Sequence, residues 1–280
     1  MARVFEREEI VERLRKEVSA GWPLFDALVG TGITAKFAEA GGADLITTFN
    51  LAYYRMQGLS SMAGYLPIGD ANAMVLELGE RAILPAVRDT PVIAGLLGAD
   101  PTRDMARHLA KVAAAGFSGV MNCPTIALID GKFRRDLEET GMTYRKEVEL
   151  IRLARARGMF SKAFATTVEE ALMMADAGAD NVIAHLGNSS GGSIGSRGAV
   201  GLEDGAERIA AICRAVKGAR PETFMTCHGG AMETPEHVRA VLAGVPELDG
   251  YVGGSSAERF PIEESVTAAA RAFKAIPRRG

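Results

Sequence analysis

Two histidines, two asparagines and two runs of small residues have the types and spacing that could carry chemistry in this sequence. His185 ends the apolar run Asn181-Val182-Ile183-Ala184, and His228 sits in Cys227-His228-Gly229-Gly230. Imidazole titrates near neutral pH, so either can exchange a proton; the alternative is a core histidine bonded to a carbonyl. Tyr251-Val252-Gly253-Gly254-Ser255-Ser256 runs an apolar strand into small residues ahead of a helix. That arrangement leaves backbone N–H groups aimed at an anion. Gly229, Gly230, Gly254, Ser255 and Ser256, with His228, form a candidate site for a phosphate or carboxylate. Asn50 and Asn122 end two further apolar runs and are further candidate catalytic residues, polar side chains at the same height as the histidines. Cys123 and Cys227 could be nucleophiles, but small cysteines at strand ends are commonly buried structural residues, and that role is expected.

Weaker patterns surround these. Gly30-Thr31-Gly32-Ile33-Thr34-Ala35 fits G-x-G-x-x-A, yet the acid due about 20 residues later falls on Asn50. A tight turn is expected there, with Gly30, Thr31 and Gly32 as further anion contacts, and no nicotinamide, flavin or pyridoxal cofactor. The stretch Gly187–Gly201, which includes Ser193, has no lysine for a Walker loop; it serves equally as an anion cradle or a mobile loop. The acids Asp70, Asp100, Glu139 and Glu258 fall one per loop, without D-x-D or E-x-x-H spacing. The pattern permits Mg²⁺ on Asp70 and Asp100 without indicating it. Arg259, beside Glu258, reads as an anion contact or a loop salt bridge. His108 and His237 lie in helical patterns and are expected at the surface.

The elements that must position these residues alternate. Apolar stretches predict strands at Leu24–Gly30, Asp44–Phe49, Val92–Leu97, Gly119–Asn122, Met159–Ala165, Asn181–His185, Thr223–Cys227 and Gly250–Gly253. Helices are predicted at Glu6–Ala20, Thr34–Ala40, Ala71–Arg81, Arg103–Ala115, Tyr144–Arg157, Thr167–Ala177, Gly205–Val216, Pro235–Leu242 and Pro261–Ile276. Strand–helix alternation implies parallel strands with crossover helices, and eight repeats imply closure into a (β/α)8 barrel. The expected architecture is one domain over 1–280: an extra N-terminal helix over 1–20 and a TIM barrel over 21–280. The phrases Ala40-Gly41-Gly42-Ala43-Asp44, Ala115-Gly116-Phe117-Ser118 and Ala177-Gly178-Ala179-Asp180 read as helix C-caps at the barrel bottom. The long connections Asn50–Ala71 and Pro124–Tyr144 fall at the top, where such loops act as lids or binding loops.

Composition narrows the partners. At 280 residues, 48% apolar, with a formal charge of −3, the chain can bury a large core and offers nucleic acid or an acidic membrane nothing beyond Arg278-Arg279. The charged N-terminus is no secretory signal, and no apolar run is long enough to cross a membrane. Three cysteines without metal spacing suit a reducing cytoplasm. The N-terminal helix and long loops offer surface for homo-oligomer formation.

Several phrases together resemble a known family. They are Gly30-Thr31-Gly32-Ile33-Thr34-Ala35-Lys36-Phe37, Gly41-Gly42-Ala43-Asp44-Leu45-Ile46, Gly69-Asp70-Ala71-Asn72-Ala73 and Asp130-Gly131-Lys132-Phe133-Arg134. Leu137-Glu138-Glu139-Thr140-Gly141-Met142, Ala184-His185-Leu186-Gly187, Gly191-Gly192-Ser193-Ile194-Gly195, Cys227-His228-Gly229-Gly230 and Ser255-Ser256-Ala257-Glu258-Arg259 complete the set. The sequence resembles the phosphoenolpyruvate hydrolase-like family of TIM-barrel proteins over residues 20–275. The resemblance implies a barrel of the phosphoenolpyruvate/pyruvate type, whose enzymes cleave or form C–C and P–C bonds in small 2-oxo acids using Mg²⁺. It implies a histidine after strand six, met by His185. It also implies an acidic cluster around strands three and four, where this sequence places only Asp100. Where relatives carry N-S-G-R-[FY]-R-M, this chain reads Asn50-Leu51-Ala52-Tyr53-Tyr54-Arg55-Met56; Leu59 replaces a basic residue and Asp26 a small neutral one. A lost guanidinium and a buried acid fit equally a less charged or differently placed ligand and drift in a protein that no longer needs the ligand.

The expected function is lyase or hydrolase action on a small phosphorylated or carboxylated 2-oxo acid, with His185 exchanging protons. The alternative is a barrel without turnover that senses a phosphate-containing small molecule or serves as a scaffold.

Overall fold

The computed structural model describes residues 1–278; Arg279 of the terminal basic pair lies outside them. Eight parallel strands close into a barrel in chain order: β1 (Leu24–Leu28), β2 (Leu45–Thr48), β3 (Val92–Gly95), β4 (Gly119–Met121), β5 (Phe160–Ala165), β6 (Asn181–Ser189), β7 (Phe224–Gly230) and β8 (Gly250–Gly253). Closure is explicit at β1, where Asp26 aligns with Leu45 of β2 on one side and Val252 of β8 on the other. The helices are α1 (Arg7–Ser19), α2 (Gly32–Ala40), α3 (Asn50–Met56), α4 (Ala71–Leu78), α5 (Leu84–Ala86), α6 (Met105–Ala115), α7 (Gly131–Glu139), α8 (Tyr144–Ala156), α9 (Val168–Asp176), α10 (Leu202–Ala219), α11 (Pro235–Gly244) and α12 (Arg259–Lys274).

The bottom of the barrel is built as the sequence predicts. Gly42, Gly116 and Gly178 take positive φ after α2, α6 and α9, a region L side chains rarely enter. Asp44 and Asp180 then accept backbone N–H bonds from Phe25 and Ser161 of neighbouring strands. The extra helix α1 closes this end: Ile10 and Leu14 are buried, Phe5 N–H donates to Ser118, and Arg7 pairs with Asp180.

Inside, one layer of the barrel is not apolar. Lys162 of β5 and Asp26 of β1 form a buried ion pair, and Lys162 Nζ also donates to Thr47 Oγ1 at 3.0 Å. This corrects the expectation drawn from Asp26. The Lys162 amine stands against its carboxylate within the barrel, so Asp26 does not face an anion above as a lone charge.

The top departs most from expectation. Both long connections contain helices, α3 in one and α7 in the other, and a short 3₁₀ strap at Ser61–Tyr65. Strands β6 and β7 run on past the histidines, with an irregularity between His185 and Ser189 and pairing of Ser189 with Gly230. His108 is buried on α6 rather than at the surface, because it shares a face with Leu109 and Val112.

The last helix is bare. Every residue from Glu264 to Arg278 is exposed, although Ile262, Val266, Ala269 and Phe273 recur at helical spacing. On the outer face of β8 and β1, a groove of about 740 Å³ is lined by Trp22, Phe25, Val238, Leu242, Leu248 and Tyr251. A (β/α)8 barrel normally covers that face with its eighth helix.

Candidate active site at the C-terminal end of the barrel

Above the strand ends lies a small cavity of about 40 Å³, lined by Arg55, Tyr65, Phe164, His185, His228 and Ser255 among others. That is room for a few water molecules.

Arg55 supplies its cation. The first turn of α3 follows β2 directly, and position 55 of that helix turns inward while Tyr53 faces solvent. The guanidinium Nε donates to Glu258 at 3.0 Å and Nη2 to Leu28 O at 2.6 Å. Glu258 also accepts the Gly30 N–H at 2.7 Å and the Thr34 hydroxyl at 2.6 Å. One carboxylate therefore ties the end of β8 to the β1 turn and to α3. Nη1 has no hydrogen-bond partner among the described residues, and it lies 3.6 Å from where a Cβ on Gly254 would sit.

The histidines face each other. Their ring centroids are 5.0 Å apart at an interplanar angle of 76°, and both pack on Phe164. Nδ1 of His185 accepts the Gly187 N–H at 2.8 Å, whereas Nδ1 of His228 donates to Val252 O at 2.7 Å. Burial pushes both imidazoles down, His185 well below its ordinary range with His228 adding to the effect, and His228 to about 4. Both are neutral at pH 7. The Cys123 thiol, also at the cavity wall, is pushed well up by burial, which leaves it protonated and structural.

The other predicted site residues have different neighbours. Asn122 is spent on scaffolding: Oδ1 accepts the Phe164 N–H at 2.7 Å, and Nδ2 donates to Glu147 and Phe164 O. Glu147 is fully buried, accepts the Ile126 N–H, and is raised by burial to about 7. Asn50 holds the strap through Nδ2 to Gly64 O at 2.9 Å, and its buried Oδ1 has no partner among the described residues. Gly30 serves Glu258, Thr31 caps α2, and Gly32 lets that helix approach Ala82 O. Gly229 allows β7 to approach Gly187 O, where a Cβ would sit at 2.1 Å, and Gly230 packs near Val200 O. Ser256 bonds Tyr251 on the outer side, and Ser193 bonds Glu263 of α12. Arg259 pairs with Glu263 and donates to Gly191 O, the loop-supporting salt bridge of its two expected roles. Of the predicted set, the structure brings His185, His228 and Ser255 to the cavity, with Gly254 beside them.

A family description, "Phosphoenolpyruvate hydrolase-like", matches residues 9–276. This chain belongs to the phosphoenolpyruvate hydrolase-like family. It is 43% identical over 270 residues to the tomato (Solanum lycopersicum) ToMV resistance protein Tm-1(GCR237), covering 96% of this chain and 36% of that protein. The ToMV susceptible protein tm-1(GCR26) is likewise 43% identical over 267 residues, 95% of this chain and 35% of its own length. The chain thus spans little more than a third of these relatives. Among solved structures, phosphonopyruvate hydrolase in complex with oxalate and Mg⁺⁺ shares the fold at a TM-score of 0.62 and 17% identity, covering 95% of this chain and 87% of that one.

The residues present do not fit a divalent cation. Asp70 and Asp100 do come together, but Arg103 bridges them and Asn72 donates to Asp100. The guanidinium occupies the place a cation would need. Among the described residues no group of three His, Cys, Asp or Glu converges as a metal site requires.

Arg55 has no local sequence signature as a site residue, since its partner Glu258 lies 203 positions away. The short helix α3 is what turns position 55 inward.

Proposed function

We propose that the barrel is an enzyme of the lyase or hydrolase class acting on a small carboxylated or phosphorylated 2-oxo acid. The observation that carries this is the meeting of the unpartnered Arg55 Nη1 and two neutral imidazoles in a small cavity at the strand C-termini, where barrel enzymes do their chemistry. Arg55 Nη1 gives a charge-assisted hydrogen bond to a carboxylate or phosphate. Ser255 adds a hydroxyl at the wall, and the imidazoles handle protons. The cavity as it stands holds only water-sized contents, so the Ser61–Tyr65 strap opens for substrate and closes over it. Three free buried cysteines suit a reducing cytoplasm, and no described helix is long and apolar enough to cross a membrane. The bare α12 and the groove beside β8 are read as a self-association surface.

The test is a thermal-shift panel on the purified chain with pyruvate, oxaloacetate, phosphoenolpyruvate, phosphonopyruvate, oxalate and inorganic phosphate. Saturation at 100 times Kd adds about 2.7 kcal/mol of stability. A shift with a 2-oxo acid that Arg55→Ala abolishes is expected. No shift with any of them would remove this substrate class. Turnover lost in His185→Ala with affinity retained separates an enzyme from a ligand-sensing barrel.

A further inference from the structure

We infer that the two histidines divide the work without a metal: His228 Nε2 is the base, and neutral His185 donates its Nε2–H to the oxyanion. This rests on the proposed acid–base role of the site. The division follows from the backbone. An amide N–H can only donate, so the Gly187 contact makes Nδ1 of His185 an acceptor and puts that ring's proton on Nε2. A carbonyl can only accept, so the Val252 contact puts the His228 proton on Nδ1 and leaves Nε2 with its lone pair. Both residues line the cavity, and neither Nε2 has a protein partner among the described residues. The site thus presents one bare nitrogen and one N–H, both uncharged.

A neutral imidazole that donates cannot give its proton away cheaply, so its role is electrophilic rather than acidic. For a 2-oxo acid held by its carboxylate on Arg55 Nη1, His228 Nε2 takes the proton from the carbon beside the carbonyl. The C–H electron pair becomes the C=C bond, and the carbonyl π pair moves onto oxygen. His185 Nε2–H hydrogen-bonds that enolate oxygen, and the proton on His228 returns to carbon in the reverse step. A preorganised donor at a developing oxyanion in a closed site supplies what a Lewis acid otherwise would. The bridging of Asp70 and Asp100 by Arg103 fits this division.

The experiment is two-bond ¹⁵N–¹H NMR of the full ¹⁵N-labelled chain at pH 7 in EDTA, before and after adding oxalate. Both rings contact Phe164, so each set of signals is assigned by its loss in His185→Gln or in His228→Gln. Opposite neutral tautomers, His185 protonated at Nε2 and His228 at Nδ1, are expected, with oxalate moving the His185 Nε2–H signal. Two like tautomers, or an imidazolium at either position, would overturn the inference while leaving the anion-site reading to the thermal-shift panel. An oxalate response that needs added Mg²⁺, or none under either condition, would also overturn it.

Discussion

Arg55, Glu258, Gly254 and the histidines form a unit in which each atom's role depends on its neighbour. A Cβ on Gly254 would lie 2.9 Å from His228 Cε1, tighter than packed side chains tolerate. Gly254→Ala should therefore displace His228 and weaken oxalate binding at least tenfold, at a stability cost of about 1–3 kcal/mol, readable by calorimetry and denaturant melts. Glu258→Gln leaves the buried guanidinium without its countercharge, which costs roughly 3–5 kcal/mol; a wild-type melting temperature in that variant would remove Glu258 as the organiser. Glu147 gives a pH signature. Its carboxyl is raised from 4.5 to about 7, so the folded state holds its proton longer than the unfolded chain. Its contribution to stability is whole below about pH 4.5 and is lost as pH rises through 7, with a slope of at most about 1.4 kcal/mol per unit. Glu147→Gln should gain on the wild type across that window in melts taken from pH 4.5 to 7.5. His228 has the opposite sign: lowered to about 4, it contributes stability present above about pH 6.5 and lost as pH falls to 4.

Among the elements, the strap and α3 form one wall of the cavity. Asn50 Nδ2 anchors Gly64, and a Cβ on Gly64 would sit 2.8 Å from Leu51 Cδ1. Gly64→Ala should lift the strap, raising amide exchange at Ser61–Tyr65 at least tenfold while β5 and β6 stay protected; unchanged exchange would mean the strap is held elsewhere. The eight strands were legible because each is a short apolar run between helical patterns, and five of them, β1, β2, β4, β5 and β6, follow a glycine in the positive-φ region. Helices α3 and α7 were not. The first has seven residues, and its N-cap Phe49 makes no side-chain bond; the second buries none of its residues and reads as a charged loop. His185, His228 and Ser255 were legible as polar residues at strand ends. Arg55 was not, since its partner lies 203 positions away and pairing at that distance leaves no local pattern. The tautomers were equally invisible, being set by one amide and one carbonyl that only the folded backbone brings to each ring.

At the scale of the whole molecule, two surfaces lack partners among the described residues. The apolar stripe of α12, with Val266 and Phe273 62% and 76% exposed, stands away from the groove on β8 and β1 that an eighth helix would fill. Exposing both costs about 25 cal/mol per Å² of apolar surface, which two copies could recover by reciprocal exchange of α12. Light scattering on the full chain should show an even-numbered oligomer, and Val266→Glu with Phe273→Glu should reduce it to monomers. A monomeric wild type would show that the groove has another use. The barrel interior holds the other global feature: Asp26→Leu with Lys162→Met should melt at or above the wild-type temperature, since a buried pair replaced by apolar residues is often neutral or stabilising.

The most direct test of the central claim is a crystal structure of the chain with oxalate in the presence of EDTA. Oxalate is expected in the cavity above β6–β8, one carboxylate on Arg55 Nη1 and an oxygen on His185 Nε2. Oxalate at Asp70 and Asp100 with a metal ion, or a cavity holding only water while oxalate binds elsewhere, would contradict it.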